Sequence, residues 1–317
     1  MPAPIRLEGF ALHAGIVTAV TLARHEGPIT LARHEKWASL DTLRVKRTDF
    51  GVAVTDGRGL EIDLVEHLLA AFGGLGVRRG VVAVVEGPEL PILDGGARVF
   101  ADAIAGLEIA ESVPELVVAR RGLLAFDESS YAFEPRDTVE LEVEAIFDHP
   151  AIGTQHARWD GDRDSFRERI APARTFGFVN QVAELARRGR ARLATKAAAR
   201  SDDAAKSPAG DDAAKSHPSA CSTPSGVPQR LEAAPAGDEP LAALRETALR
   251  EAVLIFDESS LRETGDEIAR HKLLDLIGDL TLYGGPPLGR IAARRPGHTA
   301  THRIVRRALD CGILVRR

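Results

Sequence analysis

The chain has 317 residues, 44% of them hydrophobic and 27% charged, with a formal net charge of -5. That length suits two domains with cores of their own, and the acidic balance excludes a general attraction to nucleic acid or to an anionic membrane. The two cysteines, Cys221 and Cys311, exclude a disulfide framework or a cysteine zinc site and fit a reducing cytoplasm.

The opening MPAPIRLEGFALHAG lacks the basic start and apolar run of a secretory signal. The first third then alternates β-branched runs with turn residues: VTAVTLARH (17–25), LRVKRTDFGVAVTD (43–56) and RRGVVAVVEG (78–87), each with a strand signature. Apolar runs such as VVAVV (81–85) are strand-sized, far short of the roughly 20 residues that cross a bilayer. Between the last two strands, IDLVEHLLAAFGGLG (62–76) sets Val65, Leu68, Leu69 and Phe72 at helical spacing and stops at Gly73 and Gly74. A second helix is predicted at ARVFADAIAGL (97–107). The Pro-containing ESVPEL (111–116) follows, and the domain boundary is placed there, giving units 1–112 and 113–317.

The second unit opens with strands in LVVARRGLLAFDE (116–128) and TVELEVEAIFDHP (138–150), then a helix over FGFVNQVAELARRG (176–189). From about Ala194 to Pro240 the chain turns to Ala, Ser, Asp, Lys, Pro and Gly. Such a stretch offers too little apolar area to offset the entropy of ordering it, and it reads as a disordered insertion. The basic run ARRGRARLATKAAAR (186–200) at its edge reads as a solvated, Arg-rich helix end rather than a nucleic-acid arm. Order resumes with ALREAVLIF (248–256), a helix over EIARHKLLDLIGDL (267–280) and a last helical stretch in PGHTATHRIVRRALD (296–310).

Three fragments carry titratable groups in patterns that suit a metal. In VEHLLAA, Glu66 precedes His67 on a helix whose apolar stripe lies elsewhere; a lone His there is most often a surface or core residue. In HKLLD, His271 and Asp275 stand four apart, so both can reach one ion from one helix face, and Asp279 continues that face, which is otherwise a solvated one. In GHTATHRI, His298 and His302 are a second pair at that spacing, although the spacing favours an exposed helix residue at His302. Two His, one carboxylate and a position open to water form a common hydrolytic zinc site, and these fragments supply those residue types with a Glu and a His to spare.

The blocks VEHLLAAFGGLGV, ELPILDGGARVF, FDHPAIGTQ, IAPARTFGF, IARHKLLDLIGDL and PGHTATHRIV, in this order, resemble the signature blocks of the LpxC family, the UDP-3-O-acyl-N-acetylglucosamine deacetylases of lipid A synthesis. The resemblance implies an α+β fold of two domains of similar β-α-α-β sandwich design, with the active site at the domain junction. It implies one zinc ion per chain held by His67, His271 and Asp275. Glu66 would be the general base, His298 the general acid and Asp279 its orienter, while Thr175 and Lys272 would serve the developing oxyanion. Phe176, Phe178 and Arg295 would contact the substrate, and Asp94 would be a supporting site residue. The implied partner is a UDP-linked acylated amino sugar, handled by a cytoplasmic monomer with no transmembrane segment that works at the inner membrane surface.

Several positions depart from the family pattern. Its LHSG block reads ALHAG here, with Ala14 for the serine. Its FKP block reads FEP, so Glu134 replaces a lysine and is expected to repel a diphosphate, with Arg295 as a partial substitute. The GGSLENA-like block is reduced to ETALREAVLIF, with Ala248 and Glu251 at the serine and asparagine positions. An amidohydrolase of another N-acetylated sugar and a noncatalytic sugar-nucleotide binding protein are the competing classes. The second is disfavoured because a binder needs neither the base Glu66 nor the acid His298.

Overall fold

The structure is a computed structural model that describes residues 2–193, 238–256 and 264–317. Its first sheet is built from β1 (Ile5–Phe10), β2 (Val17–Pro28), β3 (Thr30–Arg33), β4 (Lys36–Ser39) and, later in the chain, Arg79–Val85. Between β4 and that last strand lies a small ribbon of β5 (Arg44–Arg47), β6 (Ala53–Thr55) and β7 (Glu61–Ile62), followed by helix α1 (Glu66–Gly74); the strand Arg79–Val85 is then β8. The sheet order is β1-β2-β8-β3-β4, antiparallel except where β3 runs parallel to β8. Val20 and Leu22 of β2 and Val81, Ala83 and Val85 of β8 turn inward, the alternation expected of strands with one covered face.

The run 43–56 is two strands rather than one, because Phe50 and Gly51 turn the chain with φ of 56° and 122°. Only glycine suits position 51: a Cβ there would stand 2.9 Å from Glu66 Oε1 as well as in a left-handed conformation. Helix α1 begins at Glu66, four residues later than the periodicity suggested, since Glu61–Ile62 belong to β7. All nine of its residues are buried. Leu68, Leu69 and Phe72 are fully enclosed, each contributing about 1.5–3 kcal/mol of apolar burial.

After α2 (Arg98–Gly106), the division placed at residue 112 falls in the loop before β9 (Leu116–Val118). Next come β10 (Gly122–Phe126), β11 (Ser129–Glu134), β12 (Val139–Ile146) and β13 (Thr154–Trp159). After a helical turn at Arg163–Ser165 and Phe166–Ile170, two longer segments lie between β13 and the last sheet strand. The first holds β14 (Thr175–Phe178), α3 (Val179–Arg187), α4 (Asp238–Ala252) and β15 (Val253–Phe256), and the second is α5 (Glu267–Thr281). The chain ends with β16 (Gly289–Arg294), α6 (His298–Asp310) and β17 (Leu314–Arg316). The second sheet has the order β10-β11-β16-β12-β13, with β16 parallel to β12.

Phe176 and Phe178, expected on a helix, sit on β14, which pairs in parallel with β15 from Thr175↔Val253 to Phe178↔Phe256. The helix starts only at Val179; this correction reflects the tertiary pairing of two aromatic, β-branched segments far apart in sequence. Most of the proposed insertion, residues 194–237 with Cys221, lies outside the described residues, whereas 238–240 open α4.

Both five-stranded sheets and helices α1, α2, α5 and α6 share one continuous hydrophobic cluster, from Val20 and Leu31 through Leu68 and Phe72 to Leu273, Val143 and Ile291. The result is a mixed α+β fold whose central contact is the crossing of α1 over α5. There the helices meet through glycine: a Cβ on Gly278 would lie 2.3 Å from the Glu66 carbonyl oxygen, and one on Gly73 would lie 2.3 Å from Thr281 Oγ1. Gly278→Ala is therefore expected to cost about 1–3 kcal/mol in denaturant unfolding, because backbone cannot yield as a flexible side chain does. Gly177→Ala, with no atom within 4 Å of the added methyl, is expected to stay within about 0.5 kcal/mol of the parent chain.

Candidate active site

The crossing sets His67 of α1 beside His271 and Asp275 of α5. One ligand atom from each of the three lies within 4.8 Å of the others. The rings of His67 and His271 stand edge to face, centroids 5.2 Å apart, and all three side chains are buried. His271 Nδ1 lies 2.9 Å from the Ala173 carbonyl oxygen, so it donates there and leaves the Nε2 lone pair facing inward. That lone pair is 3.5 Å from Asp275 Oδ1.

Protonation sharpens the picture. Burial first, and the neighbouring His271 second, push the His67 pKa down to about 3; burial likewise lowers that of His271. Burial works against an ionised Asp275, but Lys272, His271 and His298 outweigh it and hold the carboxylate well below its usual range. A neutral His67, a neutral His271 with its acceptor inward and one carboxylate thus face each other, with no proton between His271 and Asp275, an arrangement that a cation resolves. The donor set fits a divalent ion of the zinc type, and the Ala173 contact is the outer hydrogen bond that orients a metal-binding imidazole.

Glu66, adjacent to the first of these histidines, is 3% exposed, and its Oε2 accepts the Val52 N–H at 2.9 Å. Burial raises its pKa, the nearby His298 opposes, and the balance is about 7. His298, the first residue of α6, places Nδ1 3.0 Å from both oxygens of Asp279 and Nε2 3.9 Å from Asp275 Oδ2. Burial disfavours the imidazolium, yet Asp279, Asp275 and Glu66 overcome it and raise the pKa to about 9. A carboxylate and an imidazole whose environments set them as base and acid at neutral pH therefore flank the three-ligand cluster.

These groups line the polar end of a cavity of about 550 Å³, whose other end is walled by Leu12, Ile92, Val182, Leu185, Leu249 and Val253. Thr175 lines it from the start of β14, where its N–H donates to Gly95 O at 2.8 Å. Lys272 extends Nζ to Asp275 Oδ2 at 2.9 Å and lies 5.3 Å above the Phe176 ring. Phe176 and Phe178 face the same space, with Phe147 edge-on to Phe176 at 5.3 Å between centroids.

Two of the expected site residues stand apart from the cavity. Asp94 does not line it; its Oδ1 accepts the Gly96 N–H at 3.3 Å, which shapes the loop that receives Thr175. Arg295 lines a neighbouring smaller hollow with Lys272 and Phe147, and its guanidinium is paired with Glu128.

Glu134 stands apart from the cavity. It occupies the end of β11 opposite Arg290, whereas the cavity is lined by Ser129 at the other end of that strand, about 16 Å away at strand rise. Its carboxylate pairs with Arg136 at 2.6 Å and lies 3.5 Å from Arg290 and 3.8 Å from Arg121. Three arginines thus surround the Glu134 carboxylate at the end of β11 away from the cavity. His302 is corrected: it is 4% exposed, not a surface residue, because α6 packs that face against α5. With Tyr283 it is the part of the site that periodicity missed, although Asp279 to Tyr283 and His298 to His302 repeat the same i, i+4 step.

Comparison with known proteins agrees with the geometry. A match to the family described as UDP-3-O-acyl N-acetylglycosamine deacetylase (LpxC) covers residues 1–201 and 241–310. A relative from Myxococcus xanthus (strain DK1622), named UDP-3-O-acyl-N-acetylglucosamine deacetylase, is 32% identical over 315 residues, spanning 96% of this chain and 83% of its own. Relatives of the same name from Syntrophotalea carbinolica and Phenylobacterium zucineum are 27% and 28% identical, covering 98% and 96% of this chain and 88% and 90% of theirs.

The purified chain is expected to take up one divalent ion, read by metal analysis after equilibrium dialysis. His271→Ala should weaken that uptake by more than about 100-fold, beyond the loss typical of an outer-shell partner. His156→Ala, on the exposed face of β13, should leave it unchanged.

Proposed function

The chain belongs to the LpxC family of UDP-3-O-acyl-N-acetylglucosamine deacetylases, and from that membership we propose that it is a zinc-dependent hydrolase. In this reading it removes the N-acetyl group of UDP-3-O-acyl-N-acetylglucosamine, giving UDP-3-O-acyl-glucosamine and acetate, a step of lipid A synthesis. One observation carries the reading to residue level: His67, His271 and Asp275 converge between a carboxylate set as a base and an imidazole set as an acid.

His67, His271 and Asp275 would hold zinc, and the ion would supply Lewis acidity for the activation of water and the polarisation of an amide carbonyl. The remaining work falls to the chain's own side chains. Glu66 takes the proton of the attacking water, and its Oε2 is fixed by the Val52 N–H so that the carboxylate keeps its aim. The Thr175 hydroxyl and the Lys272 ammonium donate to the oxyanion that develops at the acetamide, a charge present only near the transition state. His298 holds its Nδ1 proton toward Asp279 and gives the Nε2 proton to the departing nitrogen, which leaves as an amine rather than as an amide anion.

The cavity's two ends match the two ends of such a substrate. The polar end receives the acetamide, and the apolar end, between α3 and α4, receives the acyl chain. Phe147, Phe176 and Phe178 form the wall where the sugar crosses from one to the other. No helix among the described residues is long and apolar enough to cross a membrane. In this reading the chain works as a cytoplasmic monomer that meets its acylated substrate at the inner membrane surface. Glu66 and His298 both weigh against a noncatalytic sugar-nucleotide binder.

Chelation should abolish acetate release from the UDP-linked acyl sugar, and added zinc should restore it. Glu66→Ala and His298→Ala should each lower kcat by about 10²–10⁴-fold, the span of general acid–base catalysis, while metal content stays at the parent level; activity that survives both changes contradicts the reading. Asp279→Asn removes the charge that most raises the His298 pKa. The acid then loses its proton at lower pH, so the alkaline limb of the kcat profile should move down the pH scale.

A further inference from the structure

The Asp279 carboxylate is 1% exposed and has a second imidazole on it. On one side His298 Nδ1 lies 3.0 Å from both oxygens; on the other, His302 Nε2 lies 3.2 Å from Oδ1. The far nitrogen of that second ring, His302 Nδ1, is 3.0 Å from the Tyr283 hydroxyl, with the phenol and imidazole rings 5.6 Å apart. Asp279 and Tyr283 come from α5 and the turn after it, four residues apart, and His298 and His302 from one face of α6, also four apart. Four polar side chains thus form one chain of contacts across the α5–α6 packing.

Counting protons gives that chain a direction. Asp279, held ionised because His298 and His302 outweigh its burial, can only accept. With a ring proton on Nε2, His302 sets that N–H against Asp279 Oδ1 at 3.2 Å, an ion-pair contact and not an aligned hydrogen bond, while Nδ1 accepts the Tyr283 O–H. The opposite tautomer would set a bare Nε2 lone pair against a buried carboxylate, which costs free energy without return. The order is therefore Tyr283 to His302 to Asp279, with His298 donating to Asp279 from the other side.

Resting on the deacetylase reading, we infer that His302, backed by Tyr283, is a positioning residue. It fixes the Asp279 carboxylate in the orientation that receives the His298 Nδ1 proton, and so aims the general acid. An aspartate carboxyl rotates in a broad, roughly two-fold χ2 well, and a donor on one side alone does not stop it. The His302 ring packed against Oδ1 at 3.2 Å, itself held by a phenol, restricts that freedom. Misaimed by a fraction of an ångström, His298 would still bind its partner but would protonate the leaving nitrogen less often.

Acetate release and the ring-proton NMR spectrum are to be measured together on the full chain. His302→Leu fills the space without a donor, whereas His302→Gln keeps an N–H close to the Nε2 position. His302→Leu should lower kcat about 10- to 100-fold, the usual cost of losing an orienting partner, with KM nearly unchanged. His302→Gln should recover most of that loss. In an Asp279→Ala background, His302→Leu should cost nothing further, because the two act through one path. In the substrate-free protein, the low-field signal of the His298 Nδ1 proton should broaden in His302→Leu and persist in His302→Gln.

Equal losses in the Leu and Gln variants, an undiminished loss in the Asp279→Ala background, or a His298 signal indifferent to His302→Leu would overturn the inference. The NMR arm needs no turnover. A parent protein that releases no acetate while its His298 signal still responds therefore counts against the deacetylase reading alone.

Discussion

Everything at this site depends on how closely two helices approach. Helices α1 and α5 come from segments some two hundred residues apart, and each alone is a buried apolar rod with a few titratable groups on one side. They cross backbone to backbone because Gly73 and Gly278 leave no side chain between them. At that separation the N-terminal end of α1 delivers Glu66 and His67 to the same point that α5 reaches with His271 and Asp275. A methyl group at Gly278 would press on the carbonyl of the proposed base itself, so packing and chemistry are set by one contact. The turn at Phe50–Gly51 serves the same end, bringing the Val52 N–H onto the Glu66 carboxylate.

Burial gives these groups their chemical character. In water, Glu66 would be a weak base and His298 only partly charged at neutral pH. Enclosed together, the carboxylates of Asp275 and Asp279 are kept ionised by the imidazoles and Lys272, while they in turn favour the charged form of His298. His67 and His271, nearest the three-ligand cluster, are driven neutral instead. The same low-dielectric surroundings thus sort three histidines into two neutral imidazoles and one imidazolium, the protonation states that the proposed metal donors and acid require.

The fold's local elements were largely legible because their periodicities are strong: β-branched runs for β2 and β8, and the Val65, Leu68, Leu69, Phe72 stripe for α1. The i, i+4 step from His271 to Asp275 to Asp279 fixed their common face on α5, and the family resemblance supplied what spacing left open, the convergence with His67. What sequence reasoning missed was tertiary. Phe176 and Phe178 look helical from their neighbours, but pairing with β15 draws them into a strand. Glu134 follows Phe133 in a motif suggestive of substrate binding, yet strand length carries it away from the cavity to a cluster of arginines. His302 sits among Arg303, Arg306 and Arg307, so its segment reads as a solvated face, and only the packing of α6 on α5 shows the ring turned inward.

The most direct measurement is zinc K-edge X-ray absorption on the zinc-loaded chain, which reads the neighbours of the ion itself. Convergence of α1 and α5 on one ion requires two imidazoles and carboxylate or water oxygens at about 2.0–2.2 Å. A spectrum with one imidazole or none, whatever the number of oxygens, would mean that His67 and His271 do not share a metal, and the hydrolase built on that meeting would have to be abandoned.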